Sequence, residues 1–569
     1  MDTPTHALDR TLRAGLAQLT RGLSPASLML AWSDWALHLA AQPTRSAQVF
    51  FIRPWIRAME ALAGHGQAAH EGEATHSPEH RLADSEWDRW PFNLYRQAFH
   101  ASGLWLRDLT EGVPGVERHH EQIVSFAARQ LHGMWSPANL PATNPVILQK
   151  LAASGGQNLL QGVRNWAEDL QRNLRHMPPP GAEAFVPGRD VAVTPGKVVL
   201  RNGLMELIQY APRDGTVHPE PVLIMSAWIM RYYILDLSPD NSLIRYLVDK
   251  GHTVFAISWK NPESRDRDIG IEDYLTQGLM ASLDAIRMIV PGHRIHALGY
   301  CLGGTLLAIG AAAMARDHDD RLATVTLLAA QTDFTEPGEL GLFIDESQLN
   351  FLEDLMARQG YLDAKQMAGA FALLRSDDLI WAPMVRHYLL GLRAAMTDLM
   401  AWNADGTRMP YRMHADYLRH LFLENALARG RFRVDGKPVS LRDIKVPVFA
   451  VGTVADHVAP WHSVYKLNFL FHTEICFVLT NGGHNAGIVS EPGHPRRHYQ
   501  MLRRTARSPY VPPDDFAAEA ERVEGSWWPA LQGWLAEHSG RRQKPPPMGN
   551  ARHGLAPVCD APGSYVMSR

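Results

Sequence analysis

The fold is decided by ten residues, HALGYCLGGT, His296 to Thr305. Arg294 to Tyr300 reads as a buried strand and Thr305 to Arg316 as a helix, so Cys301 stands on the turn between them. Gly299 and Gly303 flank it at minus two and plus two. A bend this sharp drives neighbouring Cβ atoms together, so tiny residues are required there, and it throws the apex side chain out of the sheet. The following helix aims its N-terminus at the sulfur, which favours a thiolate. His296 to Ala315 contains no Asp, Glu, Lys or Arg, but its four glycines (Gly299, Gly303, Gly304, Gly310) suit a strand–turn–helix better than a membrane span.

G-x-C-x-G between strand and helix is the nucleophile elbow of α/β-hydrolases, with Cys in place of Ser. In that fold an acid and then a base follow in the chain, each just past a strand. Asp456 lies just past VPVFAVGT (Val446 to Thr453), and His484 just past EICFVLT (Glu474 to Thr480). His457 is a rival base, but it adjoins Asp456 on one loop and is expected to point elsewhere. The expected triad is therefore Cys301, Asp456 and His484. The backbone N–H of Leu302 is one oxyanion donor. The loop after PVLIM (Pro221 to Met225), near Trp228 and Ile229, should supply another through the Ile229 N–H. Trp228, His457 and Trp402 are candidates to line the substrate pocket, with Trp402 as readily a filler of the cap core.

Outward from the elbow, short β-rich runs alternate with helical patterns from about residue 191, which argues for a mostly parallel sheet with crossover helices. VAVTP, KVVLRN and LMELIQY read as early antiparallel strands, then PVLIM, HTVFAISW and ATVTLLAAQ as further strands. Residues 335–445 break the rhythm with helical spacing and read as a cap over the sheet. The expected organisation is a mainly helical N-terminal domain over 1–190, a catalytic α/β-hydrolase domain over 191–540 with its cap, and a Pro-, Gly- and Arg-rich tail over 541–569. Gly64 to His80 reads as a polar loop.

Composition narrows the function. The 569 residues are 46% hydrophobic and 20% charged, which excludes a largely disordered chain. A net charge of −3 gives no basic excess for nucleic acid. Three cysteines (Cys301, Cys476, Cys559) exclude a disulfide scaffold and fit a reducing compartment. Residues 1–20 carry Asp2, Asp9, Arg10 and Arg13 without an apolar core, so no export leader is expected. The 27 histidines show no metal-ligand spacing, and no metal or cofactor is expected.

Beyond the elbow, the segments ADHVAPW (Ala455 to Trp461), GGHNAGIVSEPG (Gly482 to Gly493), WPFNLYRQAF (Trp90 to Phe99), ATNPVIL (Ala142 to Leu148), GRDVAVTPGKVVLRN (Gly188 to Asn202), YYILDLSPDNSLIRYLV (Tyr232 to Val248), GHTVFAISWKNP (Gly251 to Pro262) and APGSYV (Ala561 to Val566) together resemble the polyhydroxyalkanoate synthases. The resemblance runs from about residue 85 to the C-terminus, and the length and helical N-terminal region resemble the single-subunit classes. It implies a cytoplasmic acyltransferase that polymerises 3-hydroxyacyl-CoA, 3-hydroxybutyryl-CoA first among them, into a polyester. CoA thioester is then substrate, not cofactor. A homodimer and attachment to polyester granules are also implied, with no nucleic acid and no transmembrane segment.

The resemblance makes Cys301 the nucleophile and His484 the base, and it gives Asp456 a part in activating the 3-hydroxyl. A thiolate suits this task, because exchange of one thioester for another is nearly balanced and keeps the acyl group activated for transfer. The chain departs from the family at Ser226, Ala227 and Met230, where a Pro pair and an Asn are common, so the loop carrying Trp228 and Ile229 is expected to be less stiff. A Cys-dependent hydrolase, an intracellular polyester depolymerase and a catalytically silent granule-binding or scaffold protein share parts of this reading.

Overall fold

The computed structural model describes residues 20, 23–62 and 80–568. The leader reading of residues 1–20 and most of the Gly64 to His80 loop fall outside them. Ahead of the sheet the chain is helical, with helices Pro25–Ala40, Arg53–Leu62, Phe92–Thr110, Arg118–Met134, Pro145–Ser154 and Gln157–Leu174.

The strands in chain order are β1 (Gly196–Arg201), β2 (Met205–Tyr210), β3 (Val222–Met225), β4 (Val254–Trp259), β5 (Ile295–Tyr300), β6 (Leu322–Leu328), β7 (Tyr361–Leu362), β8 (Met409–Pro410), β9 (Arg433–Val434), β10 (Lys437–Pro438), β11 (Val448–Thr453), β12 (Ile475–Thr480), β13 (His498–Arg504), β14 (Arg522–Glu524) and β15 (Cys559–Asp560). Eleven of them form one sheet in the order β14-β13-β12-β11-β6-β5-β3-β4-β2-β1-β15. From β12 to β4 every pairing is parallel, and both flanks are antiparallel. This is the α/β-hydrolase fold. Strand order reverses at β3 and β5, where such sheets open a crevice at their C-terminal ends.

The parallel strands are buried on both faces, as crossover helices require. Side-chain alternation sorts them into two cores. Leu223, Ile257, Ala297, Leu327, Ala450 and Phe477 pack on one side of the sheet, and Ile224, Ala256, Leu298, Leu328, Val451 and Val478 on the other. The helix Leu302–Arg316 is buried along nearly its whole length, so His296 to Ala315 is strand, elbow and interior helix. Among the described residues no helix is long and apolar enough to cross a membrane.

Between β6 and β11 lies a largely helical insertion that includes Glu346–Gln359, Ala364–Leu374, Asp398–Asn403, Tyr411–Asp416 and the wide turn Tyr417–Leu423, with β7–β8 and β9–β10 as two small pairs.

Two expectations need correction. VAVTP is not a strand. Ala192 adopts a positive φ of 53°, its N–H turns to the carbonyls of Asp236 and Leu237, and the sheet starts at Gly196. The final segment is not a separate tail either. Gln543 bridges Val217, and β15 pairs with β1 to form the sheet's outer edge. Buried Glu206 holds this segment by accepting the N–H groups of Ser564 and Tyr565, each at 2.9 Å.

Candidate active site

Cys301 occupies the apex with φ 54° and ψ −126°, a conformation that non-glycine residues rarely adopt. Its N–H bonds Leu328 O at 2.9 Å and its carbonyl accepts Gly304 N–H at 2.9 Å, so the bend is tied to β6 and to the helix start. The glycines are compelled by contact. A Cβ on Gly299 would lie 2.4 Å from Gly304 Cα, one on Gly303 2.3 Å from Met225 O, and one on Gly304 2.5 Å from Ala330 Cβ. The Gly303 contact also brings the loop after β3 against the elbow. Leu302 is the first residue of the helix, so its N–H has no intrahelical acceptor.

His484 follows β12, and its Nδ1 lies 2.8 Å from Asp456 Oδ2. The Cys301 thiol interacts electrostatically with the same ring. Burial opposes charging this ring, yet Asp456 and Cys301 together raise its pKa well above the ordinary imidazole value. Burial pushes Asp456 the other way, but His484, the Ala459 N–H and Thr453 prevail and its pKa is lowered. The carboxylate is fully engaged. Oδ2 also accepts Thr453 Oγ1 at 2.9 Å, and Oδ1 accepts the N–H groups of Val458 and Ala459 at 2.9 and 2.8 Å. Its side chain exposes nothing to solvent.

The structure thus brings Cys301, His484 and Asp456 into one chain of contacts, and it separates His457 from that chain. The His457 Nδ1 faces Arg375 Nη1 of the cap at 3.5 Å, and burial and that guanidinium lower its pKa. Trp228 is packed inside, stacked on Tyr274 at 4.4 Å, edge-on to Trp259, and bonded through Nε1 to Met413 Sδ at 3.1 Å. Trp402 is also interior, its Nε1 donating to Arg231 O at 2.8 Å. Both indoles therefore hold the loop and the cap together, and neither is free to form an open pocket wall. Ile229 sits on that loop, half-buried, with its carbonyl accepting Thr407 N–H at 3.2 Å.

Sequence reasoning missed several contributors. Tyr300, directly before Cys301, donates its hydroxyl to Asn485 Oδ1 at 2.7 Å and packs its ring 5.4 Å from that of His484. Trp527 and Trp528 pin the loop that carries His484 by donating their Nε1 groups to the carbonyls of Gly487 and Ile488, each at 3.0 Å. Tyr417 belongs to the cap; burial and then its electrostatic coupling to Cys301 raise its phenol pKa. The aromatic residue before the elbow was a usable signal for Tyr300, whereas the others depend on contacts made only in the fold. Among the described residues no group of three or more His, Cys, Asp or Glu side chains is arranged to hold a metal ion.

Such an arrangement can deprotonate a thiol, bind an acyl group on it and stabilise an oxyanion at a helix N-terminus. Comparison with known proteins gives this chemistry a context. Residues 78–247 match the family described as poly-beta-hydroxybutyrate polymerase (PhaC) N-terminus. Residues 3–45 match poly-beta-hydroxybutyrate polymerase N terminal, and residues 221–491 match the alpha/beta hydrolase fold. A poly(3-hydroxyalkanoate) polymerase of Methylorubrum extorquens is 41% identical over 85% of this chain and 80% of its own length. The poly(3-hydroxyalkanoate) polymerase subunit PhaC of Cupriavidus necator is 36% identical over 90% of this chain and 87% of its own. Among solved structures, the monoacylglycerol lipase of Paleococcus ferrophilus superposes with a TM-score of 0.32 at 14% identity, covering 59% of this chain and 99% of its own, a likeness too low to carry an argument.

Proposed function

The chain belongs to the poly(3-hydroxyalkanoate) polymerase family, and from that premise we propose that it polymerises 3-hydroxyacyl-CoA, 3-hydroxybutyryl-CoA in the first instance, through an acyl group carried on Cys301. The observation that carries the proposal is His484, bound to Asp456 at 2.8 Å and coupled electrostatically to the Cys301 thiol at the apex of the elbow. His484 takes the thiol proton. A free thiol of pKa about 8.5 is only a few per cent ionised at neutral pH, so this transfer supplies the nucleophile. The thiolate attacks the thioester carbonyl, and the oxyanion is met by the N–H of Leu302 and that of Ile229, each such donor worth about 10²–10³ in rate. The bond to CoA sulfur then breaks, and CoA leaves with the proton held by His484.

For elongation, His484 takes the proton of a 3-hydroxyl, whose oxygen attacks an acyl thioester; the ester bond forms as the C–S bond breaks, and the departing thiolate takes back the proton held by His484. Asp456 acts through His484 in this scheme, because both its oxygens are occupied by donors of the protein and its side chain is enclosed. A homodimer working at the surface of cytoplasmic polyester granules completes the proposal. The exposed Phe51, Trp55 and Met59 of the N-terminal helices support an apolar contact of that kind.

The test is incubation with 3-hydroxybutyryl-CoA, following CoA release, covalent mass on Cys301 and the recovered product. Polymer with an acylated Cys301 is expected, and Cys301→Ala should lose both the acyl-enzyme and turnover. Free 3-hydroxybutyrate without polymer makes the protein a hydrolase, and monomer release from amorphous polyester makes it a depolymerase.

A further inference from the structure

The loop after β3 carries the second oxyanion donor of the proposal, and Ser226 to Arg231 contains no proline to stiffen it. It is held from outside, on three sides. From the sheet, Trp259 Nε1 donates to Ser226 O at 2.8 Å. From the cap, Thr407 N–H donates to Ile229 O at 3.2 Å, Thr407 Oγ1 donates to Trp228 O, and Trp402 Nε1 to Arg231 O at 2.8 Å.

The third side is the C-terminal segment, and Arg231 makes the connection. Its side chain is 3% exposed. Nη1 donates to Tyr565 O at 3.1 Å, Nη2 donates to Ser568 O, and Nε faces Asp405 Oδ1 of the cap at 3.3 Å. Asp405 is itself fixed by the Tyr233 hydroxyl at 2.9 Å. One planar guanidinium thus joins the loop, the cap and the final segment of the sheet domain, a geometry that the point charge of a lysine does not reproduce. The carbonyls it grips are in turn seated by Glu206, which is 0% exposed and accepts Ser564 Oγ at 2.8 Å as well as the two N–H groups described above.

We infer that Arg231 is a positioning residue for the oxyanion loop, clamping it between Asp405 and the Tyr565 and Ser568 carbonyls so that the Ile229 N–H is aimed where charge develops on the thioester oxygen. The inference rests on the Cys301 acyl-enzyme proposed above. It separates two reactions of the same sulfur. Acylation by a thioester passes through an oxyanion and needs the loop. Alkylation by iodoacetamide forms no oxyanion and needs only the thiolate.

The experiment compares both rates in the full-length protein and in Arg231→Gln, Arg231→Lys and Asp405→Asn. Arg231→Gln is expected to slow single-turnover acylation by 3-hydroxybutyryl-CoA roughly ten- to hundredfold, lowering kcat more than it raises KM, while alkylation stays within about twofold. Arg231→Lys should recover part of the loss, and Asp405→Asn should lose less than Arg231→Gln. If Arg231→Gln does not fold, the same divergence between the two rates is required of the other two variants. Equal slowing of acylation and alkylation, or unchanged acylation, overturns the inference and leaves the Cys301 proposal standing. An unmodified Cys301 in the native protein after turnover overturns both.

Discussion

Buried histidines sit at both ends of the same parallel sheet, and they behave in opposite ways. Beyond the C-terminal end of β12, His484 has a carboxylate at 2.8 Å and interacts with the Cys301 thiol, and its pKa is raised. At the N-terminal ends of the strands, His218 and His252 stack with ring centroids 4.6 Å apart, and His296 meets the hydroxyls of Thr324 and Ser539, at 2.8 and 3.0 Å. Burial, then the neighbouring histidines, hold His252 and His296 down at about 3. His484, at 9% exposure, is hardly wetter than the other two at 1% each. Dryness therefore does not set the charge of an imidazole here; the presence of a carboxylate does.

That contrast breaks most decisively at His484. His484→Gln should lower kcat about 10³–10⁴-fold in the CoA-release assay, the scale of losing a general base together with its thiolate; a tenfold loss or less would place the base elsewhere. Asp456→Asn should cost about 10²-fold or more. It should also move the limb of the pH–rate profile that reports His484 toward lower pH, since a group that holds the ring's proton is gone. An unmoved limb would mean that Asp456 does not control His484.

The opposite end of the sheet is sharpened by stability rather than by rate. A histidine whose folded pKa is depressed destabilises the fold as pH drops below the unfolded value near 6.5, because the unfolded chain then binds the proton that the folded one refuses. For His252 and His296 that window runs from about 6.5 down to about 3, and at pH 5 each costs on the order of 2 kcal/mol. Among the described residues neither ring nitrogen of His252 has a hydrogen-bond partner, so His252→Phe should raise the melting temperature at pH 5 more than at pH 7. Equal shifts at the two pH values would remove His252 from the acid response. The triad end runs the other way for its base: the raised pKa of His484 contributes stability that is complete below about 6.5 and fades as pH rises through the folded value. The depressed pKa of Asp456 contributes above about 3.9 and is lost as pH falls through its folded value.

The smallest expected effect is at Tyr300, where Tyr300→Phe removes one hydrogen bond to the base loop. About 1 kcal/mol of loop positioning is lost, a few-fold in kcat with little change in melting temperature.

The elbow was legible because its requirements are local. A strand, an apex and small residues must be contiguous, and HALGYCLGGT meets all three. Asp456 and His484 were legible because each ends an apolar run too short for a helix. β13 and β14 were not, since HYQMLRR and RVE are polar segments at the margin of the sheet, the first only partly buried and the second exposed. β15 hid in a Pro- and Gly-rich stretch, where its place is set by distant Glu206 and not by its own pattern. Arg231 carried no local sign of its role either, because its partners lie in the cap and in the last residues described.

The packed glycines of the elbow have one further consequence. The contorted backbone at position 301 is imposed by Gly299, Gly303 and Gly304 pressing on one another and on neighbouring strands, with no help from sulfur. An oxygen in its place would inherit the same perch, the same imidazole and the same helix end. Scaffolds of this kind leave a single chalcogen to choose between keeping an acyl group as transferable cargo and surrendering it to water.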